Sequence, residues 1–514
     1  MESSKSVVLF SLQVDLSTIG VKYLHYRLLK EGYDSRLLHL PHFRSEDTAA
    51  LSKIEDFVKK LDPLFMGFSL MSVEYPRARE LSFYLKEKFP DIPVIWGGMH
   101  PTTAPESCLP PADYVCVGEG DRSIVDFADA LYKGLGPRSV NNLCYLENGH
   151  LKQNPLYPLV TDLDGLSHPH HISRASYVQE EDGSIGKVDK GGLHRHGRYQ
   201  GRFYDVLTSR GCPFSCTYCC NSYLSRLYGG GSVRQRSMES IIAELERAVK
   251  ENDMIDLVNF QDENFLSYDR DFIKEFCAAY KEKVAKPFMF ACIPSFVKRD
   301  KIGLLKDAGL SWVRMGLQSG SDRVCKDIYR RASYKKHFLE AMQIMREHRV
   351  GVYCDVILDN PLETEEDCLG TARALKEAAR PFYLQQYSLI AYYRTEIQEM
   401  ILKECPGEFR DKAQTDYFHL RKTTVNDLIR VSAYLPAGLT ERLLQSYERD
   451  PQSMEFRALF SVCKPAGLLV FEPLSYLRVF KMTQGDSFIK AIKTFPPFIR
   501  MFLVRYIKRM RPVS

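Results

Sequence analysis

Short unbroken apolar runs alternate with amphipathic stretches from the first residues onward. Ser6 to Leu12 is an apolar run of strand length. Val21 to Gly32 has apolar positions at helical spacing and is closed by a glycine. Ser35–Leu40 and Leu64–Met71 predict further strands, Tyr75–Phe89 a helix stopped by Pro90, and Pro93–Gly98 a strand ending at a glycine pair. Tyr114 to Asp121 predicts a strand running into a glycine-rich turn, and Ser123 to Lys133 a helix. Strands alternating with helices mean βαβ units and a parallel sheet. Residues 1–140 are therefore expected to form one doubly wound, Rossmann-like α/β domain.

Residues 141–200 break the rhythm with a Pro/His-rich piece (Ser167–Ser173) and a Gly- and charge-rich piece (Glu180–Gly192), and are expected to be a linker. The alternation resumes with strands at Phe203–Ser209, Asp256–Phe265, Phe288–Pro294, Trp312–Gly320 and Val352–Pro361, with helices such as Met238–Glu251 and Asp271–Lys283 between them. Repeated βα units over residues 201–395 predict a partial or full (β/α) barrel. Residues 396–514 are mostly helical in pattern, with scattered prolines, and predict a smaller helical domain.

Composition narrows the class. Apolar residues make up 45% and charged residues 26% of the 514, values of a folded protein rather than a disordered one. Seventy Lys and Arg against 65 Asp and Glu leave a formal charge of +5, too balanced for a dedicated nucleic-acid binder. No signal peptide opens the chain, and charges interrupt the apolar stretches, so no transmembrane helix and a cytoplasmic location are expected. In that setting most of the fourteen cysteines, such as Cys116, Cys277, Cys292, Cys354 and Cys463, sit singly in apolar runs and read as buried thiols.

Cys212, Cys216, Cys219 and Cys220 are different, because they crowd into nine residues directly after a strand. Clusters of iron and sulfur are normally held by four cysteine thiolates. The spacing C-x3-C-x2-C supplies three from one loop, which leaves the fourth iron for an outside ligand. A zinc site using Cys220 as the fourth ligand is the alternative, but adjacent cysteines strain a tetrahedron and zinc prefers separated pairs.

The run Arg210–Asn221 resembles the signature of radical S-adenosylmethionine (SAM) enzymes. The resemblance implies that Cys212, Cys216 and Cys219 bind a [4Fe–4S] cluster whose open iron chelates SAM, with Tyr218 near the adenine. Val233–Leu245 resembles the arginine-serine segment that follows the cluster loop in that superfamily, and Asn259–Phe265 its strand ending in acids, here Asp262 and Glu263. Gly316–Ser321 resembles the strand end lining the SAM site, with Gln318 in place of the usual glutamate and Ser319 beside it. Asp355–Asp367 resembles a later strand end of the family, with Asp359 where glycine is usual; Thr364 and Asp367 also read as a helix cap.

Gly97–Glu106, including Gly98 and His100, and the turn of Gly118, Glu119 and Gly120 follow two strands of the first domain, where doubly wound sheets bind ligands. Their order resembles the cobalamin-binding domain fused in front of many radical SAM enzymes, and Leu159–Pro169 resembles the linker of those fusions. The resemblance implies cobalamin bound on these turns. The D-x-H-x-x-G ligand motif is absent, so His100, alone in the right loop, is the one histidine offered there, and a lone histidine is more often a structural hydrogen-bonder.

The expected protein is a cobalamin-dependent radical SAM enzyme. By resemblance it methylates an unactivated carbon of a small-molecule, natural-product or lipid substrate through a 5′-deoxyadenosyl radical and methylcobalamin, reduced by a donor such as flavodoxin or ferredoxin. The rivals are a radical SAM cyclase or rearrangement enzyme without methyl transfer or without cobalamin, and a non-enzymatic zinc or Fe–S module. From Lys481 onward eight Lys and Arg face Asp486 alone and interleave with aromatic and aliphatic residues. That pattern fits either a docking helix or peripheral contact with the inner membrane surface.

Overall fold

The computed structural model describes residues 5–230, 233–409 and 417–484. Contacts divide the chain into two compact units, residues 1–256 with 390–416 and residues 257–389 with 417–514. The cysteine loop lies in the first of these units.

The first unit is built on a nine-stranded sheet. Its parallel centre consists of β1 (Ser6–Ser11), β2 (Asp34–His39), β3 (Met66–Ser69), β4 (Val94–Gly97) and β5 (Tyr114–Cys116), in the order β5-β4-β3-β1-β2. Alternate residues of each strand feed two cores. Val8, Phe10, Phe68 and Trp96 pack beneath the helices Thr48–Leu61 and Tyr75–Lys88, while Val7, Leu9, Leu37 and Ile95 pack beneath Ile19–Lys30 and Ser123–Tyr132. A sheet covered on both faces has no polar side, which is why its strands read as unbroken apolar runs. The helix Thr48–Leu61, not among the expected elements, is opened by Asp47, whose carboxylate accepts from the Ala50 amide at 2.9 Å.

The expected linker is a correction. Residues 141–187 contribute β6 (Leu143–Glu147) and β7 (His150–Gln153), a hairpin antiparallel to β5, and β8 (Ser176–Gln179) and β9 (Ile185–Lys187), a hairpin whose β8 runs parallel to β2. The outermost strands β7 and β9 are short and exposed or half-buried at the sheet's two edges, so their pattern resembles loop, while β6 and β8 bury Leu143, Cys144 and Val178 against the core.

In the second unit β13 (Leu257–Phe260), β14 (Phe288–Cys292), β15 (Leu310–Gln318), β16 (Gly351–Leu358) and β17 (Tyr383–Ser388) pair in parallel in chain order; β10 to β12 are the short strands Phe203–Val206, Ser209–Arg210 and Arg234–Gln235 of the first unit. One face of this sheet is apolar and buried (Phe288, Phe290, Val313, Met315, Val352, Cys354, Val356). The alternate positions carry Trp312, Arg314, Gly316 and Gln318 on β15, Tyr353 and Asp355 on β16, and Tyr383, Gln385 and Tyr387 on β17. The unit is completed by the helices Thr424–Ser432, Ala437–Arg449, Met454–Ala466 and Glu472–Gln484. The last two join through a π turn into a 30-residue rod, Met454–Thr483, which is long and apolar enough to cross a membrane by length and composition, contrary to expectation. Most of the basic aromatic tail, residues 485–514, lies outside the described residues.

Candidate active site

The cysteine loop is framed by a two-rung antiparallel ribbon in which Ser209 pairs with Gln235 and Arg210 with Arg234. Cys216 is buried, Cys212 and Cys219 are half-buried, and all are reduced. The Cys219 amide donates to the Cys216 carbonyl at 3.0 Å, and Cys219 stands at the N-cap position of the helix Cys220–Leu227 without a side-chain capping bond. Cys220 is the first residue of that helix, and burial pushes its thiol up to about 12, so it stays protonated. Among the described residues no three His, Cys, Asp or Glu side chains converge on a point that would hold a single ion. Tyr218 is half-buried, and the buried Thr217 carbonyl beside it accepts from the Ile397 amide at 3.1 Å.

Around this loop the glycine-rich turn after β5 is fastened by charge. Arg210 donates to both carboxylate oxygens of Asp121, at 2.7 and 3.0 Å, and lies 3.6 Å from Glu119. Arg234 donates to Glu119 at 2.7 and 3.1 Å and to the Val160 carbonyl at 2.6 Å. Burial works against the Arg210 charge, but Asp121 and then Glu119 override it and raise its pKa. Tyr228, just after the helix, accepts from the Glu119 amide at 2.9 Å. Its hydroxyl occupies the space a side chain on Gly118 would need, since a Cβ there would stand 2.1 Å away. Gly118 and Glu119 are thus engaged by the chain's own residues, and a Cβ on Gly120 would stand 3.5 Å from Leu24. Sequence reasoning missed Arg210, Arg234 and Tyr228 as partners of this turn; the only signal was that Arg210 stands two residues before the first cysteine.

At the carboxyl edge of the same sheet, Gly98 has φ +103° and brings its Cα so close to Leu70 that a Cβ would meet that carbonyl at 2.6 Å. At Gly97, the last residue of β4, an added Cβ would make only ordinary van der Waals contact, with Cys116 at 3.7 Å. Val14, Met71 and Val73, following β1 and β3, expose apolar side chains at this edge. Those residues suit the flat apolar face of a corrin ring. His100 does not offer a ligand in this arrangement. It is fully buried, with Nδ1 3.0 Å from the Ser72 hydroxyl and Nε2 3.2 Å from that of Ser107.

In the second unit the expected SAM-facing residues divide. Asp262 and Ser319 are buried, Glu263 is exposed and Gln318 half-buried. The Ser319 hydroxyl accepts from the Ser321 amide at 3.2 Å, which makes it part of the strand end itself. Gln318 adopts φ +65° at a register shift between β15 and β16 and folds its amide back over Gly316, where a Cβ would stand 2.3 Å from Nε2. Its Oε1 is buried without a hydrogen-bond partner. An orphaned acceptor beside a glycine fits a ligand hydroxyl such as that of a ribose, so the neutral amide can serve where the family has a carboxylate. Asp359 takes the glycine-like φ of +60° and its carboxylate accepts from the Arg421 amide at 3.0 Å and from Asn426 at 2.8 Å. The turn therefore keeps glycine's conformation without glycine.

Asp355, opposite Gly316 across the β15–β16 pair, is 8% exposed and its Oδ1 has no hydrogen-bond partner. Burial pushes its carboxyl up to about 6, against the pull of Arg314 and Arg331. Thr364 and Asp367 form the expected capping box, and Asp367 also accepts from Ser321 at 2.6 Å.

Comparison with known proteins agrees with this geometry. The B12 binding domain family matches residues 5–128 and the Radical SAM superfamily residues 206–375. An uncharacterized methyltransferase of Pyrococcus horikoshii, PH0819, is 24% identical over 367 residues, 70% of this chain and 73% of that one. The anaerobic magnesium-protoporphyrin IX monomethyl ester cyclase of Synechocystis is 22% identical over 415 residues, 79% and 76% of the two chains. The solved structure of the cobalamin-dependent SAM radical enzyme OxsB, with aqua-cobalamin and SAM bound, superposes with a TM-score of 0.66 at 16% identity, covering 100% of this chain and 82% of that one. Two domain families in this order, on this fold and with three thiols on the loop before the barrel strands, make the chain a radical SAM enzyme with an N-terminal B12-binding domain.

Proposed function

We propose that the enzyme transfers a methyl group to an unactivated carbon of a small-molecule, natural-product or lipid substrate in the cytoplasm. When bound, the cluster with SAM supplies a 5′-deoxyadenosyl radical and the corrinoid supplies the methyl group. The observation that carries this reading is the fastening of the Gly118–Asp121 turn to the cluster loop through Arg210 and Arg234. A chain that locks its corrinoid-binding domain to its cluster loop is built for the two cofactors to serve one reaction.

The chain's own residues would then act as follows. Cys212, Cys216 and Cys219 hold three irons, and Tyr218 lies beside the adenine. Gln318 accepts from a ribose hydroxyl through its orphaned Oε1, with Ser319, Asp262 and Glu263 shaping the two strand ends. Gly97 lets the backbone approach the corrinoid, Gly98, Gly118, Glu119, Gly120 and His100 hold its turns in place, and Val14, Met71 and Val73 exclude water beneath the ring. A flavodoxin or ferredoxin supplies the electron.

A second reading, cyclisation without methyl transfer, is favoured by the match to the Synechocystis cyclase across both domains. The experiment that separates them uses anaerobically reconstituted enzyme, SAM with an isotopically labelled methyl group, and a small-molecule extract. Methylation yields both 5′-deoxyadenosine and S-adenosylhomocysteine, with label in a new product. Cyclisation yields 5′-deoxyadenosine without S-adenosylhomocysteine or label. The same preparation should hold about four irons per chain, retained in Cys220→Ser and lost in Cys216→Ala. Zinc in place of iron, lost in Cys220→Ser, sinks both enzymatic readings.

A further inference from the structure

The rod Met454–Thr483 has two unlike sides. Phe456, Cys463, Gly467, Glu472 and Val479 are buried within the unit. The π turn at Gly467–Phe471 adds the one residue needed to keep that inner side aligned, and Gly467 lies so close to Val431 that a Cβ would meet it at 3.0 Å. The outer side shows Val462, Leu469, Val470, Leu474 and Leu477, between 41 and 68% exposed, on neighbouring turns. Leucine and valine exposed in a continuous stripe signal a contact with something apolar.

Charge selects the partner. Residues 456–514 hold eleven Lys and Arg against two acids, Glu472 and Asp486, so they carry +9 of a chain whose total is +5 and leave the first 455 residues at −4. On the rod, Glu472 is turned inward and accepts from Arg430 at 2.7 and 3.0 Å, and the exposed Glu455 stands at the rod's start, paired with Arg449 at 3.0 Å, so no exposed acid falls within the apolar stripe from Val462 to Leu477. Arg457, Arg478 and Lys481 flank the stripe, and seven further cations follow beyond it. Two copies of such a face would repel each other, and the cationic tail cannot neutralise it. We propose that this face docks on an anionic phospholipid surface. Apolar side chains enter the acyl boundary while the flanking cations meet the headgroups. The rod lies along the membrane and does not cross it, because its inner side, including the Arg430–Glu472 pair, is committed to packing within the protein.

The inference is independent of the reaction proposed above, and its test needs no substrate. Full-length holoenzyme is sedimented with vesicles of phosphatidylcholine alone and with phosphatidylglycerol added. Wild type is expected to bind the anionic vesicles and not the neutral ones. Leu469→Asp with Leu477→Asp, both at exposed positions, is expected to bind about tenfold or more weakly, the order set by withdrawing two leucines from an apolar phase. Unchanged melting temperature and iron content confirm the variant's fold. Equal sedimentation with both vesicle types, none with either, or undiminished binding by the variant overturns the proposal. A protein that dimerises through this face, or binds duplex DNA in preference to vesicles, overturns it as well.

Discussion

At the scale of single residues, the informative groups are those buried without a complete set of partners. Asp355 is the clearest, with Oδ1 orphaned and its carboxyl raised from 3.8 to about 6. Its folded pKa lies above its unfolded one, so the folded state binds the proton more tightly. That contribution to stability is complete below about pH 4 and is lost as pH rises through about 6. Asp355→Asn should therefore raise the melting temperature at pH 7.5, by up to about 3 kcal/mol in stability, and the gain should vanish near pH 4. Scanning calorimetry of both proteins across that range checks it; a gain that does not change with pH excludes titration of Asp355 as its source. Gln318 and Asp359 show the limit of motif reading at this scale. Both depart from the family pattern, yet one offers an acceptor where an acid is usual and the other adopts glycine's backbone conformation and anchors a neighbouring segment.

Among elements, the decisive contact is the one between the turn after β5 and the ribbon before the cluster cysteines. Asp121 is buried, so removing its partner leaves a charge in a poor dielectric, a change that costs far more than losing an exposed pair. Arg210→Ala is expected to lower stability by about 3 kcal/mol and to shed iron on gel filtration. Arg210→Lys should recover only part, because an ammonium cannot make the two parallel bonds a guanidinium makes to Asp121. Urea unfolding and iron content read both effects, and an Arg210→Ala enzyme with full stability and iron would show that the fastening is dispensable. The same turn shows why glycines mislead. Gly118 looked like a site for cofactor approach and is the seat of Tyr228, while Gly98 is needed against Leu70.

Over the whole molecule, a charge of +5 conceals a division into −4 and +9 along the chain. Any association driven by the cationic end should weaken steeply with salt, because the Debye length falls from about 10 Å at 0.1 M to about 3 Å at 1 M. Vesicle binding by the full chain is expected to drop several-fold over that range while a residual apolar contribution persists. Binding that strengthens with salt would assign the contact to the apolar stripe alone. The helical end was legible in outline from its composition. The arrangement of the rod, with Glu472 turned inward and its leucines outward, was not.

The doubly wound and barrel-like alternation, the strand ends and the three-cysteine loop were determined by the sequence by itself, because each is written in contiguous positions whose periodicity or spacing is local. The tertiary structure alone decided the rest. Arg210 meets Asp121 across 89 residues, His100 is sealed between two serines, and the segment expected to be a linker closes both edges of the first sheet. None of these has a local signature. Each depends on which surfaces remain uncovered after the strands and helices have packed, and that is settled by the burial of the whole core rather than by any one stretch of chain.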